Sequence, residues 1–493
     1  MQETVWDMFD YRAFAMRKLT TIGPKYLPFA DVATDDVPLS KLLRLSLFQI
    51  TVGMALVLMV GTLNRVMIVE LSVPATLVAV MLALPLVFAP FRTLIGFKSD
   101  VHVSALGLRR VPYIWKGTLY QFGGFAIMPF ALLVLSGYGE AVDAPRWIGY
   151  SSAALSFLLV GAGVHMVQTV GLALATDLVR EEDQPKVVGL MYVMLLFGMV
   201  ISALVFGTLL EAYTPGRLIR VIQGAAVATV TLNLLAMWQQ EGRDRARARA
   251  MKEARPMRFI DAWRSMVATP GMIRLLVIIG LGTFGFGMAD VLLEPYGGQV
   301  LGLSVASTTK LTALFALGTL LGFGLASRVL AQGGSPALYS VLGAGIGLPG
   351  FLAIIFSSAL GSIPLFLAGT LATGVGMGLF GHATLTATIR SAPTGQIGLA
   401  LGAWGAVQAT AAGIGVALAG IVRDLIVGLQ HIAGNAPQTP YNFVFWIEIA
   451  FLALALLVTL PFLKDPKRTG ISSDPDTSRM GSSEQHSKPM EVT

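Results

Sequence analysis

The sequence predicts an all-α polytopic membrane protein with twelve transmembrane helices in two six-helix halves. Three observations carry that expectation. Of its 493 residues, 55% are hydrophobic and 13% charged, with a mean hydropathy of +0.71; a soluble domain carries roughly 25% charge. Apolar runs of about 20 residues, each long enough to cross a ~30 Å hydrocarbon core, recur along almost the whole chain. One long charged insertion, 239–269, divides those runs six and six.

The elements follow in order. In segment 1–40, Asp7, Asp10, Arg12, Arg17 and Lys18 interrupt every apolar run, which excludes a signal peptide. Trp6, Phe9, Tyr11 and Phe14 interleave with those charges, as in a helix lying at the membrane surface or a loosely ordered cytoplasmic arm. The first half, 41–240, holds predicted spans at Leu45–Val69, Ala75–Ile95, Tyr113–Ser136, Ile148–Thr176, Val187–Leu210 and Leu218–Met237. A basic loop, 241–270, follows. Its Arg243, Arg245, Arg247, Arg249, Lys252, Arg255 and Arg258 suit anionic lipid headgroups or a plain topology anchor. The second half, 271–463, holds spans at Ile273–Pro295, Val305–Ser327, Ala337–Ser357, Ile363–Ile389, Ile397–Val422 and Phe443–Leu463. The tail, 464–493, is Ser-rich and charged, a disordered composition.

Orientation follows from the 35 Lys and Arg. With the N-terminus in the cytoplasm, all but six (Arg65, Arg146, Arg217, Arg220, Lys310 and Arg423) fall on the cytoplasmic side, so both termini are expected there.

The composition argues against a soluble enzyme or a nucleic-acid binder, despite a net charge of +7. Cysteine is absent, so no disulfide, zinc–thiolate cluster or thiol nucleophile exists. There is no G-x-S-x-G elbow, P-loop or H-E-x-x-H, which argues against hydrolysis or ATP-driven transport by this chain.

The two halves echo each other. Arg44 opens span one and Leu71-Ser72-Val73 follows it; Arg274 opens span seven and Leu303-Ser304-Val305 follows it. Gly161-x-Gly163-x-His165 in span four parallels Gly376-x-Gly378 and Gly381-His382 in span ten. A 6+6 chain with such repetition resembles the major facilitator superfamily. Gly96…Asp100 and Gly107-Leu108-Arg109-Arg110 partly match that superfamily's signature loop, although six residues intervene. Asp100, Arg109 and Arg110 are therefore expected to latch neighbouring helices through charge-assisted bonds.

Longer strings narrow the resemblance. Leu63-Asn64-Arg65-Val66-Met67-Ile68-Val69-Glu70-Leu71 closes span one, and Asp290-Val291-Leu292-Leu293-Glu294-Pro295-Tyr296-Gly297-Gly298 closes span seven. Both are similar to the PucC/LhaA family, also called the bacteriochlorophyll delivery family. Pro28-Phe29-Ala30-Asp31 through Leu45-Ser46-Leu47-Phe48-Gln49 further resembles its LhaA branch. That branch is associated with assembly of the core light-harvesting antenna in purple phototrophic bacteria, and the PucC branch with the peripheral antenna. The resemblance implies a non-enzymatic assembly factor in the inner or intracytoplasmic photosynthetic membrane. Its cofactor would be bacteriochlorophyll, with carotenoid as a companion. Its partners would be core antenna polypeptides, reaction-centre assembly intermediates, bacteriochlorophyll synthase and membrane lipid.

The residues themselves supply an independent list. Ionisable groups inside membrane helices are costly and face a cavity or a partner. They are Arg65, Asp290, Glu294 and Glu448, with Glu70 and Lys310 at the rim. Asp290 and Glu294 lie one turn apart on span seven, the repeat equivalent of span one. An Arg65–Glu294 or Arg65–Asp290 pair would lock the halves; a proton relay or a docking point for a polar ligand edge are the other readings. Two of the five histidines, His165 and His382, fall within spans. Each could ligate a bacteriochlorophyll magnesium or simply pack against a neighbouring helix. A proton-coupled exporter of a small organic solute and a pigment-free lateral scaffold remain rival readings of the chain.

Overall fold

A computed structural model describes residues 37–87, 108–241 apart from 138–140, 142 and 181–182, and 263–464 apart from 265, 393–396 and 434–435, with single positions between 92 and 99. The expected surface helix at the N-terminus, the basic stretch 242–262, the tail after 464 and Asp100 lie outside the described residues.

The described chain is helical. α1 (Leu39–Glu70), α3 (Val111–Ser136), α4 (Arg146–Asp177), α5 (Gln184–Leu209) and α6 (Pro215–Met237) belong to the first half. α7 (Met272–Gln299), α8 (Val305–Ala331), α9 (Pro336–Ala359), α10 (Ile363–Arg390), α11 (Ile397–Ala433) and α12 (Thr439–Lys464) form the second. These eleven are long and apolar enough to cross a membrane, and α2 (Ala75–Val87) is an apolar helix at the place of the second span. The twelve-helix plan holds.

Local chemistry sets the helix starts. Thr214, Ser304, Ser335 and Ser362 cap α6, α8, α9 and α10 by accepting from the backbone N–H three residues on. Pro occupies the first turn of α3, α5, α6, α9 and α10, where its missing N–H costs nothing.

Packing shows the repeat directly. α3 lies along α4, and α9 along α10; α4 also touches α2, and α10 also touches α8. Partners in the second half are numbered six higher, as two parallel repeats require. Glycine permits this closeness. A Cβ on Gly163 would sit 2.5 Å from the Gly117 carbonyl, and one on Gly343 2.7 Å from the Gly376 carbonyl. The halves meet through α2 on α11, α5 on α8, and α1 on α7 and α8.

Candidate functional site

α1 is not α-helical throughout. Val57–Leu63 and Val66–Glu70 are π-helical, bracketing Asn64 and Arg65. Single π turns inside helices cluster at functional sites, because the extra residue re-aims the side chains after it.

Here they aim polar groups into the other half. Thr62 and Thr309 hydroxyls meet at 3.2 Å, and Asn64 Nδ2 donates to the Val291 carbonyl at 2.7 Å. Arg65 pairs with Glu70 and donates to the Leu303 carbonyl at 3.1 Å, while Gly298 leaves room for its guanidinium. The same end of the bundle is closed by Lys310 on Glu211 at 2.9 Å, Arg146 on the Leu71 carbonyl at 2.9 Å, and Asp424 accepting from Thr76 N at 2.6 Å.

The expected Arg65–Glu294 lock is not formed. Glu70, five residues along the same helix, takes the arginine, and Glu294 turns toward α8 to accept from Thr312 over the gap left by Gly61. Arg65 Nε and Glu294 Oε2 are buried with no hydrogen bond among the described residues. Instead of that charge pair, the halves are joined by the Asn64–Val291 and Thr62–Thr309 bonds, by Arg65 on the Leu303 carbonyl and by the Lys310–Glu211 ion pair. Glu448 does a different job: it is fully buried and accepts from Ala289 N, the first residue of the second segment of α7. The side chain of Asp290 lies outside the described residues.

At the opposite end Arg109 and Arg110 do latch helices, while the third expected member of the latch, Asp100, lies outside the described residues. Asp177, the last residue of α4, takes Arg109 at 3.4 Å and Arg110 at 3.1 Å, and Arg110 also donates to Ser99 at 2.8 Å. Glu241, just past α6, accepts from the backbone N–H groups of Arg109, Arg110 and Val111 at 2.7–3.0 Å. It caps α3 from more than a hundred residues away, placing a carboxylate where the helix dipole is positive. The second half has a charge-reversed counterpart: Arg390, ending α10, donates to the carbonyls of Leu330 and Gly334 at 2.7 and 3.1 Å.

A second polar group lies between these ends. Arg92 Nε donates to Thr169 at 2.9 Å and one of its terminal nitrogens to Gln168 at 2.8 Å. His165 shares that face of α4, and Arg92 is near enough to His165 and Tyr192 for its charge to act on both. His165 is half-buried, and its Nδ1 makes no hydrogen bond among the described residues. Tyr192 on α5 meets Trp404 on α11 edge-on at 6.3 Å, and Trp404 Nε1 donates to Thr384 at 3.4 Å. His382 is buried against Phe323 of α8, ring centres 4.2 Å apart.

The paired glycines near the histidines serve packing. Gly161 faces Pro85 of α2 and Gly163 faces α3; Gly376 faces α9 and Gly378 faces α8. These four are filled by neighbouring helices, whereas Gly381, next to His382, meets nothing within 4 Å.

Four functional candidates escape a reading of the sequence. Arg92 lies within the predicted span Ala75–Ile95, yet it counts there as a loop cation; its position after a long apolar run was the signal. Asp177 and Glu241 look like ordinary helix-end charges. Tyr192 carries no sequence signal at all.

The chain matches the family model described as PUCC protein over residues 62–466. It is 70% identical over 456 residues to Protein PucC of Rhodobacter capsulatus, covering 92% of this chain and 99% of that one. It is 63% identical over 429 residues to Protein PucC of Rhodovulum sulfidophilum, covering 87% and 94%. Among solved structures it is similar to a bacterial homolog of the human lysosomal transporter Spinster in an inward-facing, occupied conformation. The TM-score there is 0.61 at 15% identity, over 86% of this chain and 97% of that one. At that identity the likeness shows the fold alone.

Proposed function

The chain belongs to the PUCC protein family, and from that membership we propose that it is a non-enzymatic assembly factor for the photosynthetic antenna of a purple bacterium, holding bacteriochlorophyll or handing it to newly inserted antenna polypeptides. The observation that carries this reading is the match at 70% identity over nearly the full length of both chains. Relatives named PucC at that identity also support the peripheral-antenna branch over the core-antenna branch that residues 28–49 resemble. The remaining partners, bacteriochlorophyll synthase and reaction-centre assembly intermediates, and placement in the photosynthetic membrane with cytoplasmic termini belong to the same proposal.

The residues fit such a cargo unevenly. Bacteriochlorophyll magnesium takes one axial ligand, and His165 offers an imidazole with an uncommitted nitrogen beside Arg92 and Gln168. His382 is covered by Phe323 and fits less well. When bound, the pigment supplies only its own light absorption; the chain's part is to hold, shield and release it.

The rival is a proton-coupled exporter, favoured by a fold shared with solved transporters and by the buried Glu294. Deleting the gene in a pigment-making strain separates the two. Loss of the peripheral antenna from the near-infrared membrane spectrum, with pigment synthesis intact, supports assembly. Unchanged antennae rule assembly out.

A further inference from the structure

We propose that Arg92, held by Gln168 and Thr169 and near His165 and Tyr192, is a recognition site for the carboxylate of an amphipathic ligand bound where the two halves meet.

Arg65 meets Glu70, Arg109 and Arg110 meet Asp177, and Arg423 meets Asp424. Arg92 meets no carboxylate among the described residues, only the neutral oxygens of Gln168 and Thr169. An uncompensated guanidinium inside a membrane bundle is costly, and such groups mark sites where charge is supplied by something else.

The geometry indicates what supplies it. A guanidinium has five N–H donors. Thr169 and Gln168 take two, from Nε and one terminal nitrogen, which orients the fork and leaves three donors on its outer edge. That edge matches a carboxylate bidentately. One cation balances one negative charge, so a carboxylate suits the site better than a phosphate dianion.

The body of the ligand follows from the walls. Tyr192 and Trp404 come from opposite halves and meet edge-on at 6.3 Å; Trp404 is itself buried, so Tyr192 is the aromatic face nearer the charge. A ligand seated here meets α4 and the Tyr192 face of α5, where α5 packs on Trp404 of the other half, away from the bonds around Asn64. The choice of a conjugated body rests on the pigment reading; the carboxylate preference does not.

Two matched probe pairs test this on the purified full-length protein. Pyropheophorbide a, a metal-free chlorin monoacid, is titrated against its methyl ester by fluorescence anisotropy, and palmitate and methyl palmitate are used as competitors. The acid is expected to bind at least about ten-fold tighter than the ester. Arg92→Gln should erase that preference, and Arg92→Lys should keep part of it. Competition by palmitate but not by its ester assigns the site to fatty acids; acid preference without palmitate competition assigns it to tetrapyrrole acids. Equal binding of acid and ester by the unaltered protein overturns the proposal without needing any variant to fold. Retained preference in Arg92→Gln overturns it as well. Because the chlorin carries no metal, failure here leaves magnesium ligation and the antenna role, which is read in cells, standing on their own evidence.

Discussion

Asn64 donates to the backbone carbonyl of Val291 at 2.7 Å, joining the first helix of one half to the first helix of the other. The side chain is fully buried, and the π turns on either side of it set its direction. Helix-to-helix hydrogen bonds in membrane proteins average about 0.6 kcal/mol and reach about 1.7. Asn64→Leu should therefore lower stability within that range in a detergent melt. No change would mean the bond does not help close this end.

Arg65 should behave as the partner of Glu70, not of Glu294. Exchanging Arg65 and Glu70 keeps the pair and should restore most of the stability lost in either single variant. Exchanging Arg65 and Glu294 should not. Glu70→Gln is expected to cost about 1–3 kcal/mol, less than the 3–5 of a fully buried pair, because the Glu70 side chain is 35% exposed. Rescue by the Arg65–Glu294 exchange instead would refute the assignment.

What the sequence discloses and what it hides divide along physical lines. Hydropathy reports the length of apolar runs, so twelve spans and two halves were legible, and α3 through α6 and α8 through α10 lie close to their expected limits. Sequence spacing cannot report which of several carboxylates a buried arginine will choose. Arg65 and Glu294 occupy repeat-equivalent helices, yet Glu70 is closer once α1 adopts π turns, and no local rule foretells those turns. Glu241 and Arg109 are joined by tertiary folding alone. The paired glycines were visible as a motif, but their use in packing α4 against α2 and α3 depends on contacts between helices.

The glycine contacts make a quantitative test. Gly163→Ala places a Cβ 2.5 Å from a backbone oxygen, and Gly343→Ala one at 2.7 Å, where no side chain can yield. Overpacking of this kind costs about 1–3 kcal/mol. Gly123 and Gly345 meet nothing within 4 Å, so alanine there should be neutral or stabilising by up to about 1 kcal/mol. Thermal unfolding of the four variants checks the contrast, and similar midpoints for all four would contradict the packing.

Tyr213 lies between α5 and α6, outside the spans. Burial first, and then the charge of Glu70, push its phenol up to about 12, with Arg65 opposing. The raised value leaves stability untouched below the ordinary value of 10.0 and erodes it as pH climbs from there to about 12, because the unfolded chain ionises first. Tyr213→Phe should therefore gain on the unaltered protein across that window and not below it. A gap that is constant with pH would show that Tyr213 titrates normally.

The two histidines should part company when each is replaced. If bacteriochlorophyll is ligated through α4, His165→Leu removes the ligand at similar volume, and bound pigment per purified polypeptide should fall several-fold. His165→Gln should retain part of it, since an amide oxygen can stand in for the imidazole nitrogen. His382 packs on Phe323 at 4.2 Å, so His382→Leu keeps an apolar side chain against that ring. That variant should keep its pigment and lose less than about 1.5 kcal/mol of stability, as volume-conserving core changes do. The pairing of losses separates ligation from misfolding, because a variant that merely unfolds loses stability and pigment together. Full pigment with an unshifted spectrum in His165→Leu, His382→Leu and the double variant would exclude histidine as the ligand.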